Sequence, residues 1–266
     1  MLTFKRKCSH CGFTLIELIT VMVILSIVAV MGSQFLVSSI DSYRSNQITF
    51  RLVSKGRVAI EQMTRYLRGA VPNSIRVSNS GNCIEFMPAV AGGNYLRDVA
   101  DSNNGASLTS TIATAPILSG LDAADHVVIG ALGSSDIYSI ALPSARTDVG
   151  VLAASPYTSI SLAGGHRFIR NSSRKRLFLA ADPIRFCLVG ADLVIYEDYG
   201  LITAALGDSN PGGVTSDLSS NVQSTEAFSL SEGSEDRSSV ISIALVFSEG
   251  TYQVSLNQQV FIRNVP

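Results

Sequence analysis

The sequence predicts an α+β protein in which a long N-terminal helix packs on a globular, mainly antiparallel β head. The first observation is an apolar run: 15 of the 19 residues from 13 to 31 are apolar, and only Glu17 is charged. Apolar residues then recur at helical spacing until Pro72. Beyond Pro72, short segments rich in β-branched residues alternate with Gly, Ser, Asn and Asp, which is typical of strands and loops.

The amino-acid composition argues against nucleic-acid binding and against a metal centre. The 266 residues contain 20 Lys plus Arg and 21 Asp plus Glu, so the net charge of −1 gives no electrostatic case for a nucleic-acid partner. Three histidines are too few for a multi-histidine metal centre, and we expect neither a metal nor another cofactor. Charged residues make up 15% of the chain, against about 25% in ordinary soluble domains. A large apolar surface is therefore expected.

The apolar run is long enough to span a membrane. A helix over residues 13–37 would measure roughly 37 Å, and a hydrocarbon core is about 30 Å thick. Lys5, Arg6 and Lys7 precede the run without any acidic residue, which favours a cytoplasmic N-terminus and a head on the opposite side. A secretory signal carries its small-residue cleavage site after the apolar run, whereas Gly12 stands before this one.

The string GFTLIELITVMVILSIVAV, after a basic leader, resembles the type IV prepilin signal. This resemblance implies that a prepilin peptidase removes residues 1–12 by cutting after Gly12. The same enzyme would then methylate the new amino terminus at Phe13. The competing interpretation is a plain signal anchor with a chance glycine.

Glu17 separates the two interpretations, because a lone carboxylate at the centre of a membrane helix costs up to about 2.5–3.5 kcal/mol. The resemblance implies that Glu17 acts in assembly by pairing with the α-amino group of Phe13 in a neighbouring subunit, which sets the axial register. A local role is the alternative, since a carboxylate in the first turns of a helix gains about 0.3–1 kcal/mol from the macrodipole.

The helix is expected to continue as an amphipathic rod over residues 38–70 and to end where Gly69 and Pro72 stop it. Gly32 and Gly56 are expected to be weak points in it. Residues 71–266 show no repeat and no Pro-rich linker, which predicts one periplasmic head domain.

The predicted strands of the head are 74–77, 83–87, 126–131, 136–142, 166–170, 176–180, 184–189, 193–196, 240–247, 251–256 and 259–263. Asn257 and Gln258 separate the last two, which predicts a closing hairpin. Residues 89–121 and 207–237 are expected to be dominated by loops.

The sequence predicts different chemical states for its two pairs of cysteines. Cys8 and Cys11 flank His10 in a CxxC, but they lie in the leader and lack the two further ligands of a structural zinc site. Cys83 and Cys187 lie in apolar strand segments of the exported part, where an oxidising periplasm favours a disulfide. Two buried thiols are the alternative.

The head offers no catalytic constellation, and we expect no enzyme, because GxSxG, HExxH and P-loop motifs are absent from the sequence. His126 and His166 are expected to be solvated at strand edges. Residues 98–105 have a calcium-loop composition without its spacing, which favours a plain loop. The basic run RNSSRKR from Arg170 suits DNA, an acidic neighbouring subunit or a solvated hairpin turn, and the turn is the preferred interpretation.

The chain also resembles the MshO-type minor pilins of the mannose-sensitive haemagglutinin (MSHA) pilus. This resemblance depends on three less specific segments: VSKGRVAIEQMTRYLRGAVPNSIRV, FMPAV and QQVFIRNVP. These minor pilins are related to the J-type minor pseudopilins of type II secretion. The resemblance implies a minor pilin that primes or caps a filament. It would first reside in the inner membrane and then in the filament or its tip.

The partners that this resemblance implies are the prepilin peptidase/methyltransferase, other major and minor pilins in a filament or tip complex, the inner-membrane assembly platform and inner-membrane lipid. Alternatives are a pseudopilin of type II secretion and a signal-anchored periplasmic binding domain. A membrane-tethered periplasmic enzyme is a further alternative.

Overall fold

The structure is a computed structural model that describes residues 13–105, 107–118, 121–151, 155–231 and 239–262. Helix α1 (Leu15–Arg68) is followed by fourteen strands, a short helix α2 (Ser134–Ile137) and a 3-10 turn (Leu121–Ala123) within this described part. The strands are β1 (Arg76–Val77), β2 (Cys83–Phe86), β3 (Ala89–Asn94), β4 (Thr109–Ile117), β5 (His126–Val128), β6 (Arg146–Asp148), β7 (Tyr157–His166), β8 (Arg176–Ala180), β9 (Ile184–Val189), β10 (Asp192–Glu197), β11 (Val214–Ser220), β12 (Phe228–Ser231), β13 (Ser239–Glu249) and β14 (Tyr252–Ile262). The predicted α+β class is confirmed.

The chain divides into two compact units, with the boundary between Phe50 and Arg51 inside α1. In the second unit α1 is amphipathic, and its buried residues recur every three or four positions. These residues are Leu52, Gly56, Ala59, Met63 and Leu67. Ile60, one of the apolar residues that recur at helical spacing before Pro72, is only half-buried.

The head is built from small antiparallel sheets. A five-stranded sheet has the order β1-β2-β9-β10-β11, and a four-stranded sheet has the order β3-β8-β5-β6. Strands β12, β13 and β14 form a third sheet, and β4 pairs with β7. Apolar clusters fill the space between these layers, including one around Val127, Phe168 and Leu179, all fully buried.

Strands β8 and β9 coincide with the predicted 176–180 and 184–189. Two other strand predictions are wrong. Residues 136–142 are not a strand, because α2 begins after Gly133 and buries Ile137. Of residues 166–170 only His166 is in a strand, and it ends β7, which the sequence analysis missed.

The segments expected to be loops contain four strands, β3, β4, β11 and β12. The predicted hairpin at Asn257 and Gln258 is also wrong, since both lie inside β14, which pairs with β13 without interruption from Tyr252 to Ile262. The turn lies instead between β13 and β14, where Gly250 has a φ of +60°. A glycine adopts this left-handed conformation without the steric cost of a side chain.

Gly56 was expected to be a weak point of the helix, but it lies in close contact with strands β13 and β14. A Cβ at this position would lie 2.7 Å from Phe247 Cε2 and would overlap Leu256 Cδ1. The absence of a side chain therefore lets β13 and β14 approach the helix closely.

Candidate assembly interface

The start of α1 is defined by a capping interaction. Thr14 precedes the helix, and its side-chain Oγ1 accepts a hydrogen bond from the Glu17 backbone N–H at 3.3 Å. The Thr14 carbonyl accepts from Glu17 N–H at 3.1 Å and from Leu18 N–H at 3.2 Å. Thr14 and Glu17 have the T-x-x-E spacing of a capping box, a signal that the sequence analysis did not use. Phe13 lies just before this cap and is 79% exposed.

The first half of α1 is apolar and exposed. Its most apolar 18-residue window has a mean hydropathy of 2.6, and no part of that window is buried within the chain. Leu18, Ile24 and Leu25 are representative, with 52%, 60% and 61% of their surfaces exposed. The helix is long and apolar enough to cross a membrane.

Four hydroxyl groups of α1 are hydrogen-bonded within the helix. Thr20 donates to the Glu17 carbonyl at 3.0 Å, and Ser26 donates to the Met22 carbonyl at 2.7 Å. Ser33 and Ser39 make equivalent bonds. Such internal bonds suit an apolar solvent, in which an unsatisfied polar group is costly.

Glu17 is the exception to this pattern. It is the one ionisable residue between positions 13 and 40 of the sequence. It lies in the first turn of α1 and has no ion pair within the described residues. Gly12 and the remainder of the leader, including Cys8, His10 and Cys11, lie outside the described residues.

The head brings Cys83 and Cys187 together. They lie directly opposite each other on β2 and β9, both fully buried, and their Sγ atoms form a disulfide. The bond joins residues 104 positions apart in the sequence. It closes a long loop and therefore restricts the unfolded chain.

His126 and His166 were expected to be solvated, and this is wrong: each is about 5% exposed. His126 Nδ1 lies 2.8 Å from Asp148 Oδ1, and its Nε2 lies 2.9 Å from Asp182 Oδ1. The ring thereby connects β5, β6 and the residues after β8. His166 donates from Nε2 to the Ser144 carbonyl at 3.1 Å, and its burial lowers the pKa of the imidazole.

The loop over residues 98–105 is organised by Asp101. Its Oδ1 accepts from the backbone N–H groups of Asn103 and Asn104, and its Oδ2 accepts from Asn171 Nδ2 at 2.7 Å. Burial acts to raise the pKa of Asp101, but the hydrogen bonds from Asn171 and the backbone outweigh it and lower the pKa. The described residues contain no group of three or more His, Cys, Asp or Glu arranged to hold a metal ion.

A buried ion network that was not predicted from the sequence surrounds Glu85, which is fully buried. Glu85 Oε1 accepts from Arg185 Nη2 at 2.8 Å and from the Tyr199 hydroxyl at 2.8 Å, and Oε2 accepts from Arg76. Burial and the nearby Glu85 charge raise the pKa of Tyr199. Arg76 also donates to the carbonyls of Ile202 and Ala204, which ties this loop to the five-stranded sheet.

Comparison with known protein families finds a match at the start of the chain. Residues 7–33 match the family model of the prokaryotic N-terminal methylation motif. No curated protein and no solved structure matches the chain. The motif implies processing by a prepilin peptidase and assembly with other pilins. The motif and the exposed apolar helix that begins at Leu15 together support a membrane-anchored, prepilin-like protein.

Proposed function

We propose that this protein is a minor pilin of a type IV, MSHA-like pilus that primes or caps filament assembly. The observation that carries the proposal is the methylation motif at residues 7–33, which leads into an apolar helix that the chain itself leaves unburied. In this proposal the leader stays in the cytoplasm and the head lies in the periplasm. After assembly the protein resides in the filament or at its tip.

The proposed mechanism is an exchange of surroundings for the first half of α1. Before assembly its side chains lie in inner-membrane lipid, and afterwards they pack against the same segments of other subunits. Because both surroundings are apolar, packing and polar contacts decide the direction rather than hydrophobic burial. Glu17 would pair with the methylated α-amino group of Phe13 in a neighbour. The head would contribute contacts and no catalysis.

The processing step is tested by the mass of the mature N-terminus in cells that contain an active prepilin peptidase. We expect N-methylated Phe13, a chain of 254 residues and a net charge of 17 minus 21, or −4. Replacing Gly12 with Asp should leave the leader attached. An intact Met1 in the unmodified protein would contradict the proposal.

The role of Glu17 is tested by Glu17→Gln, which removes the charge and keeps the shape. We expect the protein to remain in the membrane, fully processed, but to enter filaments poorly. Asp41→Asn is the matched control, since it removes a carboxylate from the same helix outside the apolar segment. Equal filament entry by both variants would contradict the proposed pairing of Glu17 with Phe13 of a neighbour. Absence of the unmodified protein itself from filaments would argue for a signal-anchored periplasmic binding domain.

A minor pseudopilin of type II secretion is the second candidate, because the methylation motif serves pilins and pseudopilins alike. Deletion of the gene distinguishes them. Loss of surface pili with normal secretion supports the minor pilin, and the opposite result supports the pseudopilin.

A further inference from the structure

Charge is unevenly distributed over the head. Beyond Arg185, the described residues contain no Lys or Arg but seven carboxylates. These are Asp192, Glu197, Asp198, Asp208, Asp217, Glu226 and Glu249. The exposed cations of the described residues between 71 and 185 lie on two loops, Arg97 on one and Arg174 and Lys175 on the other. Beyond Arg185 the charged residues of the described part are therefore all acidic, whereas the exposed cations before it are confined to these two loops.

The two loops touch and hold the cations in a fixed turn, residues 172–176, which we name the basic turn. The Tyr95 N–H donates to the Lys175 carbonyl at 2.9 Å, and Asn94 Nδ2 donates to the Arg174 carbonyl at 3.1 Å. Within the turn, the Lys175 N–H donates to the Ser172 carbonyl at 3.0 Å. The backbone is occupied by these bonds, and the side chains of Arg174 and Lys175 are exposed.

The side chain of Tyr95 holds the basic turn in place. Its buried hydroxyl accepts from the Ser172 N–H at 2.7 Å and donates to the Ser172 carbonyl at 3.3 Å. Burial raises the pKa of Tyr95 to about 12, so the hydroxyl stays protonated and able to donate. A turn that is already rigid loses little conformational entropy when it binds a partner. Asp98, 3.4 Å from Lys175, is the one carboxylate paired with the turn among the described residues.

A complementary cavity lies elsewhere on the head, between the last turns of α1 and strands β10 and β11. This acidic cleft has a volume of about 620 Å³ and carries Glu197 and Asp217 on its strand side. Neither carboxylate has an ion pair within the described residues. Tyr66, 37% exposed, and Leu218 supply apolar surface, and Arg65 on the helix side leaves one excess negative charge.

We propose that the basic turn of one copy of this protein docks in the acidic cleft of a second copy. The guanidinium of Arg174 and the ammonium of Lys175 would face Glu197 and Asp217, and their aliphatic stems would lie against Tyr66 and Leu218. A cation over an aromatic ring adds to such a contact. Both charge and the mixture of polar and apolar surface are complementary.

We propose a second copy of this chain as the partner because one chain carries both the basic turn and the acidic cleft. They lie on different sheets, β8 beside the basic turn and β10 and β11 beside the acidic cleft. Joining unlike surfaces is a heterologous contact, which produces a ring or an open helical assembly instead of a two-fold symmetric dimer. This inference rests on the proposed function, since it names the surfaces through which heads of a pilin would meet.

The contact is tested by disulfide cross-linking of two differently tagged full-length copies in membranes. Ser173→Cys in one copy and Ser216→Cys in the other should form a heterotypic cross-link. Ser173→Cys with Ser229→Cys, at an exposed position of β12, should not. Arg174→Glu with Lys175→Glu, or Glu197→Lys with Asp217→Lys, should each reduce cross-linking at least tenfold. Combining the two reversed copies should restore it.

Two further measurements keep the test decisive. Arg65→Glu should increase cross-linking, because it removes the opposing charge from the acidic cleft, whereas Asp192→Lys outside the cleft should change nothing. Protease resistance of each variant establishes that the head is folded. Cross-linking that ignores the charge reversals, that the reversed pair fails to restore, or that captures a different pilin would overturn the proposal. The mass of the mature N-terminus reports separately on the proposed function.

Discussion

The first half of α1 and the rest of the described chain both contain many apolar side chains, but only the second half of α1 and the head bury a core of them. Leu25 in the first half is 61% exposed, whereas Leu67 in the second half is fully buried. The same helix therefore carries two kinds of apolar surface. One contributes to the stability of the folded chain, and the other is available to lipid or to other subunits. Substitutions should affect folding in the head and assembly in the first half.

The largest expected effect on stability is at the buried ion network. Glu85→Ala would leave Arg76 and Arg185 without their shared carboxylate, and removing one partner of a buried ion pair costs about 3–5 kcal/mol. We expect this loss in the free energy of unfolding, measured by urea titration of the full-length protein in detergent micelles.

Glu249→Ala is the matched control. Glu249 pairs with Arg51, and their side chains are 35% and 55% exposed, so its loss should cost at most about 1 kcal/mol. Equal effects of the two variants would mean that the network around Glu85 does not stabilise the head.

The comparison between the halves of α1 is tested most directly with two leucines. Leu67→Ala empties a fully buried position and should cost about 2–5 kcal/mol of unfolding free energy. Leu25→Ala should leave the unfolding of the head unchanged and should instead reduce filament entry. A loss of head stability from Leu25→Ala would contradict the division of roles.

The next effect is expected at Gly56. Gly56→Ala should cost about 1–3 kcal/mol, because the new methyl group would overlap Leu256 and Phe247 and force β13 and β14 away from the helix. Gly32→Ala is the control, since nothing lies within 4 Å of its Cβ position within the chain. If Gly56→Ala were stabilising, helix propensity would outweigh the packing contact.

The sequence predicted what depends on local pattern. The extent of α1 followed from apolar spacing and from Gly69 and Pro72, and β8 and β9 followed from compact apolar runs with clear boundaries. A disulfide between Cys83 and Cys187 on neighbouring antiparallel strands would also have predicted which residues beside them face each other. In an antiparallel pair the residue two after one cysteine faces the residue two before the other, which places Glu85 opposite Arg185.

Other features depend on contacts that local pattern does not encode. Strands β3 and β11 are rich in Gly, Ser or Ala and are ordered by their neighbours β8 and β10, so nothing in their own composition favoured a strand. Asn257 and Gln258 have turn-like composition, but the ladder with β13 extends them. The burial of His126 and His166 arises from partners far away in sequence, such as Asp182 and Ser144.

The smallest expected effect is the dependence of head stability on pH through His166. Burial lowers its pKa in the folded protein below the ordinary value of 6.5, so at slightly acidic pH the unfolded chain binds a proton that the folded chain does not. Stability should therefore fall as pH decreases from 6.5 towards the lowered pKa, by at most about 1.4 kcal/mol per pH unit.

His166→Gln removes this titration and keeps a donor for the Ser144 carbonyl. The difference in unfolding free energy between the two proteins, measured in detergent from pH 7.5 to pH 5, isolates the contribution of His166 from that of every other group. We expect the variant to lose less stability than the unmodified protein as the pH falls. Parallel curves would contradict this prediction, because they would show that the pKa of His166 is the same in the folded head as in the unfolded chain.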